Sequence, residues 1–457
     1  MRLYFLLICC LFSSCSSTNK AAKDWSSIES TFSAAADTIQ TSVYWYWISD
    51  NISKQGVIKD LHAMKKAGIN RAFIGNIGLD DIPAEKWGKV KIFSQEWWDI
   101  MHTALKTATQ LGIEIGIFNG PGWSQSGGPW VKENQAMRYL YAADTLVKGG
   151  TSFHAKVGTY PDNLQLGNVL AFRVPKDYHL SLTSQKPKLQ GNLQGPLERL
   201  TDKLYTQSVL LPEGKQSEVI FSLNKPFSAR SLTIHPHANP AAFNVRLEVE
   251  QAGKFIPVKS FQIDRTNPAV NVGFEPYAPS TVSFDVVKGT SFRLVFDGVR
   301  GTAGITEIEM TTTPRVEHIE EKGFAKMHPT PLPYWHHYMW DTQAESSDPA
   351  HAIDPSEVKD LTSLLSKDGI LNWTVPQGEW IILQTGMLPT GAFNAPAAGG
   401  GQGLEIDKMS QKHVQAHFDN FIGEILRRVP QEDRKTFKVI VQDSYETGGQ
   451  NWTDDFA

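Results

Sequence analysis

Apolar and polar positions change their spacing along the chain, and each change predicts a different element. Val43 to Ile48 (VYWYWI) is a run of β-branched and aromatic residues, which predicts a strand. From Lys54 to Gly68 the apolar residues Val57, Leu61, Met64 and Ala67 fall at helical spacing, and Gly68 stops the helix. Arg71 to Gly75 is the next strand. A helix over about Gln95–Leu111 carries Trp97, Met101, Ala104, Leu105 and Ala108 on one face, and Gly112 caps it. Ile113 to Phe118 is a third strand. This βαβαβ order calls for a parallel sheet. The first strand is not followed by Gly-x-Gly-x-x-Gly, and no phosphate loop is present, which favours a barrel over a nucleotide-binding sheet.

Beyond residue 150 the long helical periodicity stops. Short alternating runs replace it: Glu218 to Leu223, Leu232 to His235, Asn244 to Val249, Thr281 to Val287 and Ser291 to Phe296. They predict an inserted antiparallel β-sandwich over 151–327, for which sugar binding and plain structural packing are both open. The Pro-rich stretch His328 to Pro333 marks a boundary. Trp380 to Thr385 reads as a strand, and Gly391 to Gly403 as a Gly- and Ala-rich loop. A helix over Ser410–Val429 follows. Its expected buried stripe is Val414, Phe418, Phe421, Ile422, Ile425 and Val429, and Pro430 ends it. A last strand, Phe437 to Gln442, leads into Asp443-Ser444-Tyr445-Glu446.

The predicted fold class is therefore α/β. A (β/α)8-type barrel begins over 41–150, is interrupted by the sandwich, and resumes over 328–457. Three strands precede the insertion and one or two follow it, against the eight that closure needs. The expectation is an incomplete barrel, the N-terminal part of a longer enzyme, with an unpaired sheet edge after the last strand.

Composition narrows the partners. The formal net charge of −4 leaves no electrostatic footprint for a nucleic-acid partner. At the N-terminus, Arg2 precedes the apolar stretch Leu3 to Phe12, which is too short to span a bilayer. Ser13 and Ser14 then lead to Cys15. Residues 1–15 resemble a bacterial lipoprotein signal peptide, with Cys15 as the lipid anchor and 16–40 as a tether. That places the protein in the cell envelope, periplasmic or at the outer membrane, held to the membrane by its lipid; plain secretion is the alternative. Cys9, Cys10 and Cys15 are the three cysteines, so the body of the chain has no disulfide and no cysteine metal site. The 13 Trp exceed what core filling needs and suggest flat platforms for the apolar faces of sugars.

In a β/α barrel the active site lies at the C-terminal strand ends. Those ends offer Trp47, then Asn119, Trp123 and Trp130, then Glu446, Asn451 and Trp452. These are the candidates to shape a sugar pocket, and no Ser/His/Asp spacing accompanies them. Glu446, flanked by Tyr445 and Trp452, would be partly desolvated and so kept protonated, as a general acid must be. The alternative is that Asp443 and Glu446 only cap the next helix. Glu405 and Asp407 either bind sugar hydroxyls or an ion, or place favourable charge before a helix. His413 and His417 stand four apart without the Glu of a zinc protease and read as packed or solvated polar residues. His336 and His337 read as part of the insertion's seam. Glu114 starts a strand at the wrong barrel end.

Four stretches carry a resemblance: YWYW with KDLHAMKKAGI (Tyr44–Trp47, Lys59–Ile69), GPGWSQSGGPW (Gly120–Trp130), GLEIDKMSQKHVQAHFDN (Gly403–Asn420) and DSYETGGQNWT (Asp443–Thr453). They resemble glycoside hydrolase family 106, the α-L-rhamnosidases, from about Ser42 to the end. The resemblance implies a β/α barrel with a β-sandwich insertion and inverting removal of terminal α-L-rhamnose from oligo- or polysaccharides. It implies calcium dependence, without naming ligands in this chain. It also gives Glu446 the role of acid. Two rivals stay open. One is a glycosidase or lyase of other sugar specificity on the same scaffold. The other is a non-catalytic glycan-binding lipoprotein, because a second carboxylate is expected from a later strand.

Overall fold

The computed structural model describes residues 25–33, 39–79, 81–266, 277–319, 322, 342–443 and 450–456. In chain order it builds helix α1 (Trp25–Ser33), strand β1 (Ser42–Ile48), helix α2 (Lys54–Lys66), β2 (Arg71–Ile77), α3 (Gln95–Leu111) and β3 (Glu114–Phe118). Antiparallel strands follow: β4 (Arg138–Lys148), β5 (Gln165–Arg173), β6 (Ser217–Pro236), β7 (Ala241–Gln251), β8 (Ser280–Gly301), β9 (Gly304–Thr311) and β10 (Glu379–Pro389). Helices α4 (Gln411–Asn420) and α5 (Ile422–Arg428) and strand β11 (Phe437–Val441) come after them.

Strands β1, β2, β3 and β11 form one parallel sheet in that order. The mixed α/β class is as expected, and no sheet among the described residues closes into a barrel. Ser53 caps α2 by accepting from the Gly56 amide, and Ser94 caps α3 by accepting from Trp97. Gly112 ends α3 in the left-handed conformation at φ +66°. Strand alternation then sorts the aromatic residues of β1. Trp45 and Trp47 turn toward the helices and join Val57, Leu61, Ile74, Trp97 and Ile100 in a buried core. Tyr44 and Tyr46 turn the other way. There they meet Phe73 and Phe118, with Tyr44–Phe73 centroids 5.9 Å apart and Tyr46–Phe118 centroids 6.0 Å apart. Gly116 makes room on this face, since a Cβ there would lie 2.4 Å from the Phe73 ring.

Among the described residues, the chain from β4 to β10 is an excursion from this sheet. Its neck is β4, which pairs antiparallel with β10 from Arg138↔Pro389 to Lys148↔Glu379, and β10 pairs in turn with β5. Antiparallel structure thus reaches outside 151–327 on both sides. Within the excursion sits a seven-stranded sheet carrying a large apolar core of its own, including Phe221, Phe243, Phe292 and Phe296. Two pairs of expected short strands prove to be halves of single long ones. Glu218–Leu223 and Leu232–His235 both lie in β6, while Thr281–Val287 and Ser291–Phe296 both lie in β8. Register shifts at Ser283/Val287 and Gly289/Ser291 interrupt the alternation and hide the continuity.

The expected single helix over Ser410–Val429 is corrected to two. Phe421 leaves helical geometry at φ −116°, ψ −73° because its buried ring is wedged between Trp130 and Phe93, with centroids 5.9 Å from each. The inward face of α4 also differs. Val414 is exposed, and His413 and His417 take the buried positions.

Candidate active site at the parallel strand ends

Two glycine-rich loops interlock over the C-terminal ends of β2 and β3. In the loop after β3, the Gly122 amide donates to Asn76 O at 2.8 Å and the Ser124 hydroxyl donates to Ala395 O at 2.9 Å. From the other loop, Asn394 Nδ2 donates to Pro121 O and Gly401 O, and its Oδ1 accepts from the Gly403 amide at 2.8 Å. The approach is too close for side chains. A Cβ on Gly403 would lie 2.0 Å from Gly128 O, and Gly127 adopts φ +109°. The GPGWSQSGG and GGGQG runs are therefore needed for backbone contact.

His417 ties α4 to this pair of loops. Its ring is buried, and Nε2 lies 2.9 Å from Asn119 O while Trp130 Nε1 donates to Nδ1 at 3.1 Å. A carbonyl can only accept and an indole N–H can only donate, so the proton of the neutral ring sits on Nε2. Burial pushes the imidazole down to about 4, against a smaller opposing effect of the Asn119 carbonyl, so it stays neutral.

Asp407 and Arg138 form a second anchor, and both side chains are fully buried. Arg138 Nη2 donates to Asp407 Oδ2 at 2.7 Å, and Nη1 donates to Asp454 Oδ1 and Gln165 Oε1, each at 2.6 Å. Gln450 and Thr453 also donate to Asp407, at 2.6 and 2.7 Å. Burial opposes the charge of Asp407, but the hydrogen bonds from Gln450, Arg138 and Thr453 outweigh it and hold its carboxyl below the usual range. Asp454 in turn meets His413 Nε2 at 3.2 Å. The cluster pins residues 450–454 to the neck of the excursion. Glu405, also buried, accepts from Ser126 Oγ at 2.7 Å and Lys408 Nζ at 2.6 Å through Oε2, while Oε1 has no hydrogen-bond partner among the described residues.

The candidate site residues thus separate into groups. Asn119 and Trp123 lie at the end of β3, and Trp123 stands 6.2 Å from Tyr46 on the face opposite the helices. Trp47 is on the helix side of the sheet, packed edge-on against Trp97 at 6.1 Å; it lines a cavity beside the start of α2, and its N–H has no partner among the described residues. Trp130 is held in the packing of Phe93 and Phe421. Glu405 and Asp407 serve the buried anchors, Asn451 accepts from the Leu140 amide at 2.9 Å, and Trp452 bridges to Arg138. Glu446, His336, His337 and Cys15 lie outside the described residues. Glu114 is at the N-terminal end of β3, as expected, where it pairs with Arg71. Among the described residues no three His, Cys, Asp or Glu side chains gather as a metal site, and Asp407 and Asp454 turn to Arg138 instead.

Tyr46 is the residue that sequence reading passed over. Burial raises its hydroxyl above the ordinary value, with further repulsion from Tyr44 and from Asp443 at the end of β11. The signal was present in the alternation of YWYW, since α2 lies on one side of the strand and the tyrosines must face the other. Arg138, a lone charge in an otherwise apolar and aromatic strand opening, was a similar signal.

Comparison with known proteins bears on this geometry. The family model described as glycoside hydrolase family 106, alpha-L-rhamnosidase, matches residues 33–457. A structure of a rhamnosidase from Novosphingobium sp. PP1Y superposes with a TM-score of 0.71 at 26% identity, covering 93% of this chain and 40% of that one. A curated protein of Formosa agariphila named "Putative beta-glucuronidase" is 26% identical over 429 residues, covering 94% of this chain and 24% of that protein. The chain therefore spans less than half the length of either relative.

Proposed function

The chain belongs to glycoside hydrolase family 106, the alpha-L-rhamnosidases, and from that membership we propose that it takes part in inverting hydrolysis of terminal α-L-rhamnosides. The family match over nearly the whole chain carries the reading. The Tyr46–Trp123 face supports it, offering aromatic surface to the apolar side of a sugar at the strand ends.

In this reading Glu446 is the general acid. It gives its proton to the glycosidic oxygen as the anomeric C–O bond breaks, while water, deprotonated by a second carboxylate, attacks the opposite face. The two carboxylates of an inverting pair stand roughly 6.5–9.5 Å apart. Asn119, Trp123, Asn451 and Trp452 bind or border the sugar, and Glu405 and Asp407 hold the loops that carry them. The test is Glu446→Gln in the full-length protein, assayed on a natural rhamnoside and on a nitrophenyl rhamnoside. General acid catalysis is worth about 10²–10⁴-fold, and the loss should concentrate on the natural leaving group, which needs the proton. Equal losses on both substrates would remove the acid role.

The Formosa relative's name supports a second reading, in which the same scaffold acts on a different sugar such as a uronide. Aryl rhamnosides and aryl glucuronides assayed side by side separate the two. We also propose that Cys15 is acylated and holds the protein at the cell envelope. No helix among the described residues is long and apolar enough to cross a membrane.

A further inference from the structure

We propose that the seam between the seven-stranded sheet and the β4–β5–β10 sheet is a second saccharide-binding site, remote in the fold from the strand ends. Only the ligand class rests on the hydrolytic reading. The cavity itself stands apart from it.

Strand alternation builds the two walls. In β10, Trp380 and Ile382 enter the core of their own sheet, so Ile381 and Leu383 face out into the seam. In β9, Ile308 and Met310 enter the sandwich core, so Glu309 faces out toward the same space. Between these outer faces lies a cavity of about 530 Å³, within the roughly 300–1,000 Å³ typical of small-molecule sites. One wall is apolar. The other carries Glu309, His235 and Arg315, and Tyr178 stands exposed at the margin.

The polar wall is fixed in place. Glu309 Oε1 accepts from the Tyr205 hydroxyl at 3.0 Å and meets His235 Nε2 at 3.2 Å. Its other oxygen faces Arg315 at 3.7 Å, beyond hydrogen-bond distance. That oxygen and the guanidinium form an acceptor and a donor side by side. Neighbouring hydroxyls on a pyranose match such a pair, one donating and the next accepting. Phe172, Ile381, Leu383 and Tyr178 suit the C–H face of the same ring, and Asp144 offers its hydroxyls a further acceptor. The His235 hydrogen bond, against the effect of burial, holds Glu309 down to about 2, so the acceptor stays ionised through the physiological range. A lipid tail would find a charged wall here, and a phosphate would meet a carboxylate, so a neutral saccharide is the ligand these walls fit.

The experiment is saturation-transfer NMR with rutinose, a rhamnosyl-glucose disaccharide, on the full-length wild-type protein and on two variants of it. Arg315→Ala/Tyr178→Ala changes two exposed seam residues. Tyr46→Ala/Trp123→Ala alters the strand-end face. The same spectra record any release of rhamnose, so binding and cleavage are read together. The expected result is binding weakened about tenfold or more at one of two sites in the seam variant, with the site that depends on Tyr46 and Trp123 retained. Thermal unfolding identical to wild type confirms that the seam variant is folded. Rutinose binding unchanged in the seam variant would overturn the second site. Loss in the seam variant with no cleavage by any form would leave this site standing and count against the hydrolytic reading alone.

Discussion

Lowering the pH tests the structural role of His417 directly. In the folded chain its ring titrates at about 4, and unfolded it returns to the ordinary value near 6.5. Between those values the unfolded chain binds a proton that the folded chain refuses, so the stability due to the neutral ring is present above 6.5 and drains away as the pH falls toward 4. At about 1.4 kcal/mol per pH unit the full effect is about 3 kcal/mol, of which about 2 kcal/mol should be lost between pH 7 and pH 5. The variant that isolates it is His417→Gln, whose amide supplies one donor for Asn119 O and one acceptor for the Trp130 N–H and does not titrate. Urea unfolding followed by tryptophan fluorescence reads the transition, because Trp97, Trp98, Trp123 and Trp130 all lie in the parallel layer or its loops. Wild type should lose about 2 kcal/mol more than His417→Gln on going from pH 7 to pH 5. Equal losses would refute the assignment of a buried neutral imidazole bridging the two loops.

Arg138→Met should destabilise the chain by about 3–5 kcal/mol, because Asp407 is left buried without its cation. Urea unfolding of Arg138→Met/Asp407→Leu should recover much of that loss, and a double variant as unstable as the single would refute the pairing. Tyr46→Ala should reduce kcat/KM on rhamnosides in the full-length protein while Tyr46→Phe keeps most of it, if the ring serves as a platform; steady-state kinetics on the two variants decides this. Cys15→Ala should move the protein from the detergent to the aqueous phase on partitioning, and an unchanged distribution would remove the anchor.

The sequence made the parallel layer legible because α2 and α3 bury one stripe each and end at glycines, so periodicity and punctuation agree. It made the excursion legible as antiparallel β, since its runs alternate. The long strands β6 and β8 were not legible, because bulges break alternation without ending a strand. The face of α4 was misjudged for a related reason. Hydropathy favours Val414 as buried, but the loops after β3 present a carbonyl and an indole N–H there, and only a residue that both donates and accepts meets them; His417 does. Trp47 and Trp130 look like sugar platforms by composition; parity turns Trp47 to the helix side, where it packs against Trp97 and lines a cavity, and Trp130 packs against Phe93 and Phe421. Composition alone does not distinguish an aromatic that stacks on a ligand from one that stacks on Phe421.

The pairing of β4 with β10 has a kinetic consequence. Strand β11 joins β3 although the entire excursion separates them in sequence, and a contact of that range closes slowly in a flexible chain. The excursion's own ends are paired in the fold, with Arg138 opposite Pro389, so wherever the neck zips before β11 docks, the span left to search runs only from Pro389 to β11. Docking of β11 should then be insensitive to residues inserted at Gly253, in the turn after β7 where Gln251 pairs with Lys254, yet slowed by anything that frays the neck. Pulse-labelled hydrogen exchange at Ile440 and Val441 would register the difference.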